Sequence, residues 1–296
     1  MSELLQLLAN GLVTGSIISI GAVGLTLVYG ILRIVNFAHG EYLTFGAFMA
    51  FVVNVTWGGG MIAAVAFAVA MTALLGVTLE FVLWRPMRKK GAGIVSLFIT
   101  SIGLALVVRH AIFMHWGGQP RRYDVDVFQV YDLGVVRLSL SQLTAVAVAF
   151  TAITIVGLML ARTALGKSMR ALSDNPALAS VAGVDIGRVI VYTWILAAGL
   201  AGLGGVLQGL VQNSFNPNMG FTLLLPIFAA VILGGIGSPY GALAGGIFLG
   251  VAMELSTWDA LAGGIRAVYK PAVAFALLIV LLIVRPNGVL GRARTV

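Results

Sequence analysis

Apolar residues run almost without interruption through eight stretches of the chain, at roughly 4–32, 41–57, 61–84, 94–115, 143–161, 189–212, 222–256 and 271–285. The runs are continuous rather than alternating. Alternation at period two marks the strands of a membrane barrel, whereas an unbroken apolar run of about 20 residues fits a helix across the hydrocarbon core. Backbone polar groups must be satisfied inside the bilayer, and a helix does so within one segment. The pattern predicts an all-α integral membrane protein. Segment 222–256 exceeds one straight span and is interrupted by "GGIGSPYG" (Gly234–Gly241), so two helical pieces are expected there. Segment 4–32 is long enough to hold a short lead-in helix as well as a span. With such breaks counted, about eight to ten membrane helices are expected. Some are broken or re-entrant, and the halves are pseudo-repeated, within a single domain over 1–296.

Composition agrees. Sixty per cent of the 296 residues are hydrophobic and 9% charged, against about 25% charged in soluble domains. Cysteine is absent, which removes disulfides, metal thiolates and cysteine nucleophiles; no metal site is expected. "MSELLQLLANG" has Glu3 and no Lys or Arg, so it lacks the basic start of a cleaved signal and is expected to stay in the mature chain. The net charge of +8 does not indicate nucleic acid, because the positive residues cluster beside apolar segments. Arg85, Arg88, Lys89 and Lys90 form one cluster; Arg162, Lys167, Arg170 and Arg188 form another; Arg285, Arg292 and Arg294 mark the tail. One span pair separates the first two clusters, so they share a side, which the positive-inside rule makes cytoplasmic; the loop 116–142, where Arg121, Arg122 and Arg137 sit among Asp124, Asp126 and Asp132, then faces out. The 38 glycines include Gly11/Gly15, Gly205/Gly209, Gly241/Gly245 and Gly246/Gly250. This small-xxx-small spacing serves close helix packing, either within the subunit or between subunits.

Two interruptions carry candidate chemistry. In "VYGILRIVNFAHGEYLTFGAF" (Val28–Phe48), Arg33, Asn36, His39, Gly40 and Glu41 break long apolar flanks. Ionisable groups at membrane depth are costly and usually face a protein interior or a wet cavity. The far half offers a counterpart in Gly234, Gly235, Gly237 and Pro239, and paired interruptions point to a transport site between repeats. Asn36, His39, Gly40, Glu41, Gly234, Gly235, Gly237 and Pro239 are therefore the candidate substrate-pathway residues. The plainer reading makes Asn36–Glu41 an interfacial turn, with Arg33 and Glu41 solvated and His39 capping a helix. Arg109-His110 reads as snorkelling to headgroups, Glu80 as a local partner of Arg85, and Glu254 as a pathway carboxylate or a helix end. No nucleophile or metal-ligand spacing accompanies His39, His110 or His115, so no catalytic residue is expected.

"GKS" at Gly166–Ser168 resembles the end of a phosphate-binding loop, but the first glycine of that motif would fall on Ala161 and an apolar helix, not a strand, precedes it. The segment 162–188 reads better as a docking element or as a solvated loop with a helical turn. Asp174 or Asn175 can cap a short helix, Pro176 suits its first position, and Gly183 can end it. Leu178 and Val181 would lie on the surface of that helix, Pro176–Ala182, which could sit in a partner's groove.

"GLTLVYGILRIVNFAHGEYLTFGAF" resembles the N-terminal signature of permeases from branched-chain amino acid ABC importers. "GKSMRALSDNPALASVAGVDIGRVI" resembles their ATPase-docking loop. "FAAVILGGIGSPYGALAGGIFLG" and "YKPAVAFALLIVLLIVRPNGVLG" match their C-terminal blocks, including Arg285-Pro286 and Gly288. The resemblance implies a transport subunit, not an enzyme, in the inner or plasma membrane of a prokaryote. It implies a second homologous permease subunit, two cytoplasmic ATPases, and an extracytoplasmic binding protein. This chain would bind no cofactor; ATP-Mg would sit on the ATPases. Leu165, Arg170, Asp174, Asn175, Pro176, Leu178, Val181 and Gly183 would make the ATPase contact. The substrates would be leucine, isoleucine, valine or other neutral amino acids, Phe37 standing where urea-type relatives tend to have Met. The alternatives are an ion-coupled secondary transporter, whose coupling carboxylates could only be Glu41, Glu80 or Glu254, and an ABC permease for urea or amides.

Overall fold

The computed structural model describes residues 2–125, 130–132, 134, 136–259 and 264–284. Asp126, the tail arginines Arg285, Arg292 and Arg294, and the block from Arg285 to Gly288 lie outside the described residues. The chain is an all-α bundle. Helix α1 (Ser2–Leu32) is one continuous helix with no separate lead-in piece. Helix α2 (His39–Phe51) follows after a break and runs on through a π turn, Val52–Thr56. Helix α3 (Met61–Leu79) passes through a second π turn, Glu80–Trp84, into the short α4 (Arg85–Lys89). Then come α5 (Ile94–Trp116), a hairpin of β1 (Val130–Asp132) and β2 (Arg137–Ser139), and α6 (Leu140–Arg162). The amphipathic α7 (Ala164–Asp174) and α8 (Pro176–Val181) precede α9 (Ile186–Gln212), α10 (Met219–Gly234), α11 (Pro239–Leu255) and α12 (Lys270–Val284). Among the described residues, six helices are long and apolar enough to cross a membrane, and α10 and α11 are shorter apolar helices. With α2, the described pieces number within the range expected from sequence.

The two ends of the bundle differ in charge. Arg85, Arg88 and Lys89 share a cleft with Asp185 and Arg188, and Ser173 Oγ donates to the Gly30 carbonyl (2.7 Å) near the end of α1. The first two basic clusters therefore share one end, as read from sequence. At the opposite end, Gln6 of α1 accepts from the Arg137 N–H (2.8 Å), and Arg121 pairs with Phe215 in an isolated bridge. Tyr123 is buried there and donates to the Ala47 carbonyl (3.1 Å); burial pushes its phenol well above the usual range and keeps it a donor.

Glycine sets the close approaches. A Cβ on Gly11 or Gly15 would meet the α11 backbone, one on Gly246 or Gly250 the α1 backbone, and one on Gly205 the backbone of Leu43. Gly241 and Gly245 lie against α10. The small-xxx-small positions thus serve packing within this chain. Helix α1 packs on α11 and α9, α9 also packs on α2 and α3, and α10 packs on α11.

Candidate functional site

The break after α1 starts at the basic end, where Arg33 is exposed, and re-enters the bundle. Arg33 takes a left-handed conformation (φ 57°), and residues 34–38 turn back into the bundle. Asn36 forms an Asx turn, its Oδ1 accepting from the Ala38 N–H (3.1 Å) and its carbonyl from the His39 N–H (3.2 Å). Ser101 holds this segment from α5, its hydroxyl accepting from Phe37 N–H (3.1 Å) and donating to the Val35 carbonyl (3.2 Å). Phe37 lies between Phe98 and Phe228, with ring centroids at 5.2 and 4.9 Å. Helix α2 then starts beside the middle of α1, where His39 Nε2 bonds the Gly21 carbonyl (2.9 Å).

The same construction recurs, inverted, after α9. Asn213 is left-handed (φ 53°). Asn216 Oδ1 accepts from the Asn218 N–H (2.9 Å), and its carbonyl accepts from the Met219 N–H (3.0 Å). Helix α10 then begins against α2: the Gly220 N–H donates to Thr44 Oγ1 (2.9 Å), and a Cβ on Gly40 or Gly220 would collide with the other's carbonyl. One half-helix leads from this crossing toward each end of the bundle. The pattern Asn36…Gly40 and Asn216…Gly220 is an inverted-repeat signature, and half-helices meeting at mid-depth are how such folds expose backbone to a substrate.

Beside the crossing lies a buried ion pair. Arg109 Nε donates to Glu41 Oε1 (3.0 Å), and its guanidinium lies 4.4 Å from the Phe221 ring centroid of α10. Glu41 is 1% exposed, so the pair binds α2, α5 and α10 together. Arg109 does not snorkel, because the Glu41 carboxylate stands within its reach. Glu41 is not solvated, although Arg33 is exposed. His39 caps nothing: α2 has Ala38 at its N-cap with no side-chain bond. Glu80 pairs with Arg88 (Nη1 at 3.1 Å) rather than Arg85, and also accepts from Trp194 Nε1 (2.8 Å), because the π turn directs it inward. Glu254 pairs with Lys270 at 2.6 Å.

The structure brings Asn36, His39, Gly40 and Glu41 together and sets Gly234, Gly235, Gly237 and Pro239 apart from them. The latter form the turn between α10 and α11 at the basic end. Gly235 and Gly237 take positive φ (97° and 89°), the Gly237 N–H donates to Thr26 (3.0 Å), and Ser238 caps α11 through the Gly241 N–H (3.1 Å). Thr26 and Gly30 flank this turn, while Gly21 receives His39, so roughly 8–14 Å of α1 separates the two groups. The partner of the first break is thus 213–218, which its asparagines and Pro217 marked as a turn and its Asn-x-x-x-Gly match could have revealed.

A cavity of about 640 Å³ opens in the half of the bundle away from the basic end. Gln208, Gln212, Asn216 and Thr222 line it, with Glu254 and Lys270, and Thr14 also donates to Glu254 (3.2 Å).

At the basic end, α7 buries Gly166, Met169 and Leu172. Gly166-Lys167-Ser168 lies inside this helix, the Gly166 N–H taken by Thr163 Oγ1 (3.1 Å), so the three residues form no phosphate loop. Leu165 packs partly buried against the core, and Arg170 donates to the Leu160 carbonyl. Asn175, not Asp174, caps α8, accepting from Leu178 N–H (3.0 Å); Asp174 ends α7. Pro176 opens α8, which stops at Val181, with Gly183 at φ 83°. Leu178 and Val181 are 66% and 88% exposed. Arg33 Nη2 donates to the Ser173 carbonyl (3.2 Å), so α7 is tied to the first residue of the break.

Spanning helices with two half-helices crossing at mid-depth define a multi-pass membrane permease. The family described as branched-chain amino acid transport system, permease component, matches residues 7–282. The chain is 33% identical to the high-affinity branched-chain amino acid transport system permease protein BraD of Pseudomonas aeruginosa, over 97% of this chain and 96% of that one. It is 32% identical to LivH of Escherichia coli K12, named in the same words, over 97% and 96%. A solved structure, PsaBC from Streptococcus pneumoniae in complex with Fab, shares the fold at TM-score 0.51 and 14% identity, over 97% of this chain and 93% of that one. The chain belongs to the branched-chain amino acid permease family. It is a transport component of an ABC importer and not an enzyme.

Proposed function

We propose that this chain forms one half of the translocation pathway of an ATP-driven importer for branched-chain or other neutral amino acids, in the inner or plasma membrane of a prokaryote. The observation that carries the reading is the crossing of α2 and α10 at Gly40 and Gly220, joined through 33–38 to α7. A second, homologous permease subunit completes the pathway. Two ATPases hold ATP-Mg at the basic end, which the positive-inside rule makes cytoplasmic; this chain holds none. An extracytoplasmic binding protein delivers substrate to the far end, above the cavity lined by Gln212 and Thr222.

In this mechanism the ATPases seat on the exposed Leu178 and Val181. When they close, α7 moves, and Ser173 carries the motion to Arg33 and the break. The half-helices then part. Asn36 Nδ2, buried and without a hydrogen-bond partner among the described residues, becomes a free donor beside two helix N-termini, which suits a substrate carboxylate. ATP shifts the equilibrium because it binds one state of the ATPase pair more tightly than the other.

Radiolabelled leucine uptake in cells with and without this chain tests the reading. Gene-dependent uptake should stop on ATP depletion and survive an uncoupler while ATP stays high. Uptake that dies with the proton gradient at constant ATP would overturn the mechanism and promote an ion-coupled transporter. Urea or amide uptake in place of leucine would overturn the substrate.

A further inference from the structure

A cleft of about 860 Å³ opens at the basic end between the α3–α4 junction and the start of α9. Its mouth carries four cations, Arg85, Arg88, Lys89 and Arg188. Two are already neutralised: Arg88 by buried Glu80, and Arg188 by Asp185 at 3.1 Å. Arg85 and Lys89 have no carboxylate partner among the described residues. Arg85 instead lies 5.5 Å from the Phe81 ring centroid, which holds its head at the rim.

The wall below the mouth is apolar and open. Phe81, Tyr192 and Ile195 are 47%, 48% and 38% exposed. Ile195 stands seven residues beyond Arg188 on a spanning helix, roughly 10 Å deeper. The π turn creates this arrangement. It turns Glu80 and Trp84 inward, at 2% and 0% exposure, and leaves Phe81 facing out. The cleft therefore presents two uncompensated cations at headgroup level and an aromatic and aliphatic slot at acyl depth.

We infer that this cleft binds one anionic phospholipid, its phosphate between Arg85 and Lys89 and an acyl chain along Phe81, Tyr192 and Ile195. A basic pocket between spanning helices recognises an anionic headgroup. A free phosphate would leave the apolar slot empty. A zwitterionic lipid brings its own cation to a mouth that already has a surplus.

Native mass spectrometry of the intact transporter, released from nanodiscs of phosphatidylcholine with a minor fraction of phosphatidylglycerol, tests this. The wild type should retain one phosphatidylglycerol per copy of this chain. R85Q/K89Q should retain it about thirtyfold more weakly, while K90Q/R162Q, which removes the same charge outside the cleft, should match wild type. Equal retention of both lipids by the wild type would overturn the inference, as would undiminished retention by R85Q/K89Q. Displacement by millimolar inorganic phosphate would make the cleft a phosphate site instead. Retention by the permease pair alone, lost when the ATPases are attached, would assign the cleft to an ATPase surface. Melting of each variant with and without phosphatidylglycerol confirms folding and should show lipid stabilisation only where Arg85 and Lys89 are present.

Discussion

The chain breaks at 33–38 and 235–238 differ in depth and in what fills them. The first runs inward from exposed Arg33, is held by Asn36, Ser101 and a wedge of phenylalanines, and delivers His39 and Glu41 to the middle of the bundle. The second is a short turn at the basic end, made by two left-handed glycines and a Ser238 cap. Gly and Pro report that a chain reverses; buried ionisable groups report how deep it does so. The first break carries charge and asparagine, and the break at 213–218 shares its Asn-built Asx geometry.

Substitutions can break this contrast. Gly40→Val has the largest expected effect, since its side chain would meet the backbone of α10 rather than a flexible side chain. Little folded protein should survive size-exclusion chromatography, because the cost exceeds the ~1–3 kcal/mol of ordinary overpacking. Arg109→Leu comes next. It strands the Glu41 carboxylate and should cost about 3–5 kcal/mol, with much of the loss recovered in a melt of the Glu41→Gln/Arg109→Leu double variant. Gly237→Ala only strains a positive φ, at about 1–2 kcal/mol, and should leave leucine uptake measurable. Smallest in stability is Leu178→Asp/Val181→Asp, whose side chains are exposed. Its melt should match wild type while ATP-driven uptake falls about tenfold or more.

Much of the fold was legible because hydrocarbon imposes length and continuity on each span. The short helix α8 was legible for a local reason: Asn175, Pro176 and Gly183 act within a few residues of one another. What stayed hidden is non-local. Glu41 and Arg109 lie 68 positions apart, and nothing along one sequence pairs them, so each received a local explanation. The 213–218 break was missed for another reason. Its polar residues sit between two apolar runs, where an ordinary connection also belongs, and only its meeting with Gly40 shows that it turns inward.

The central claim is that the cavity beside the α2–α10 crossing is the outward half of a pathway governed by the ATPases. The chain has no cysteine, so a single Thr222→Cys can report on it. We would measure its labelling by a membrane-impermeant thiol reagent added outside, with the transporter at rest and with its ATPases trapped by vanadate. The account predicts labelling at rest from outside only, and a severalfold change in rate on trapping. Equal labelling in both states, or labelling from the cytoplasmic side alone, would contradict it.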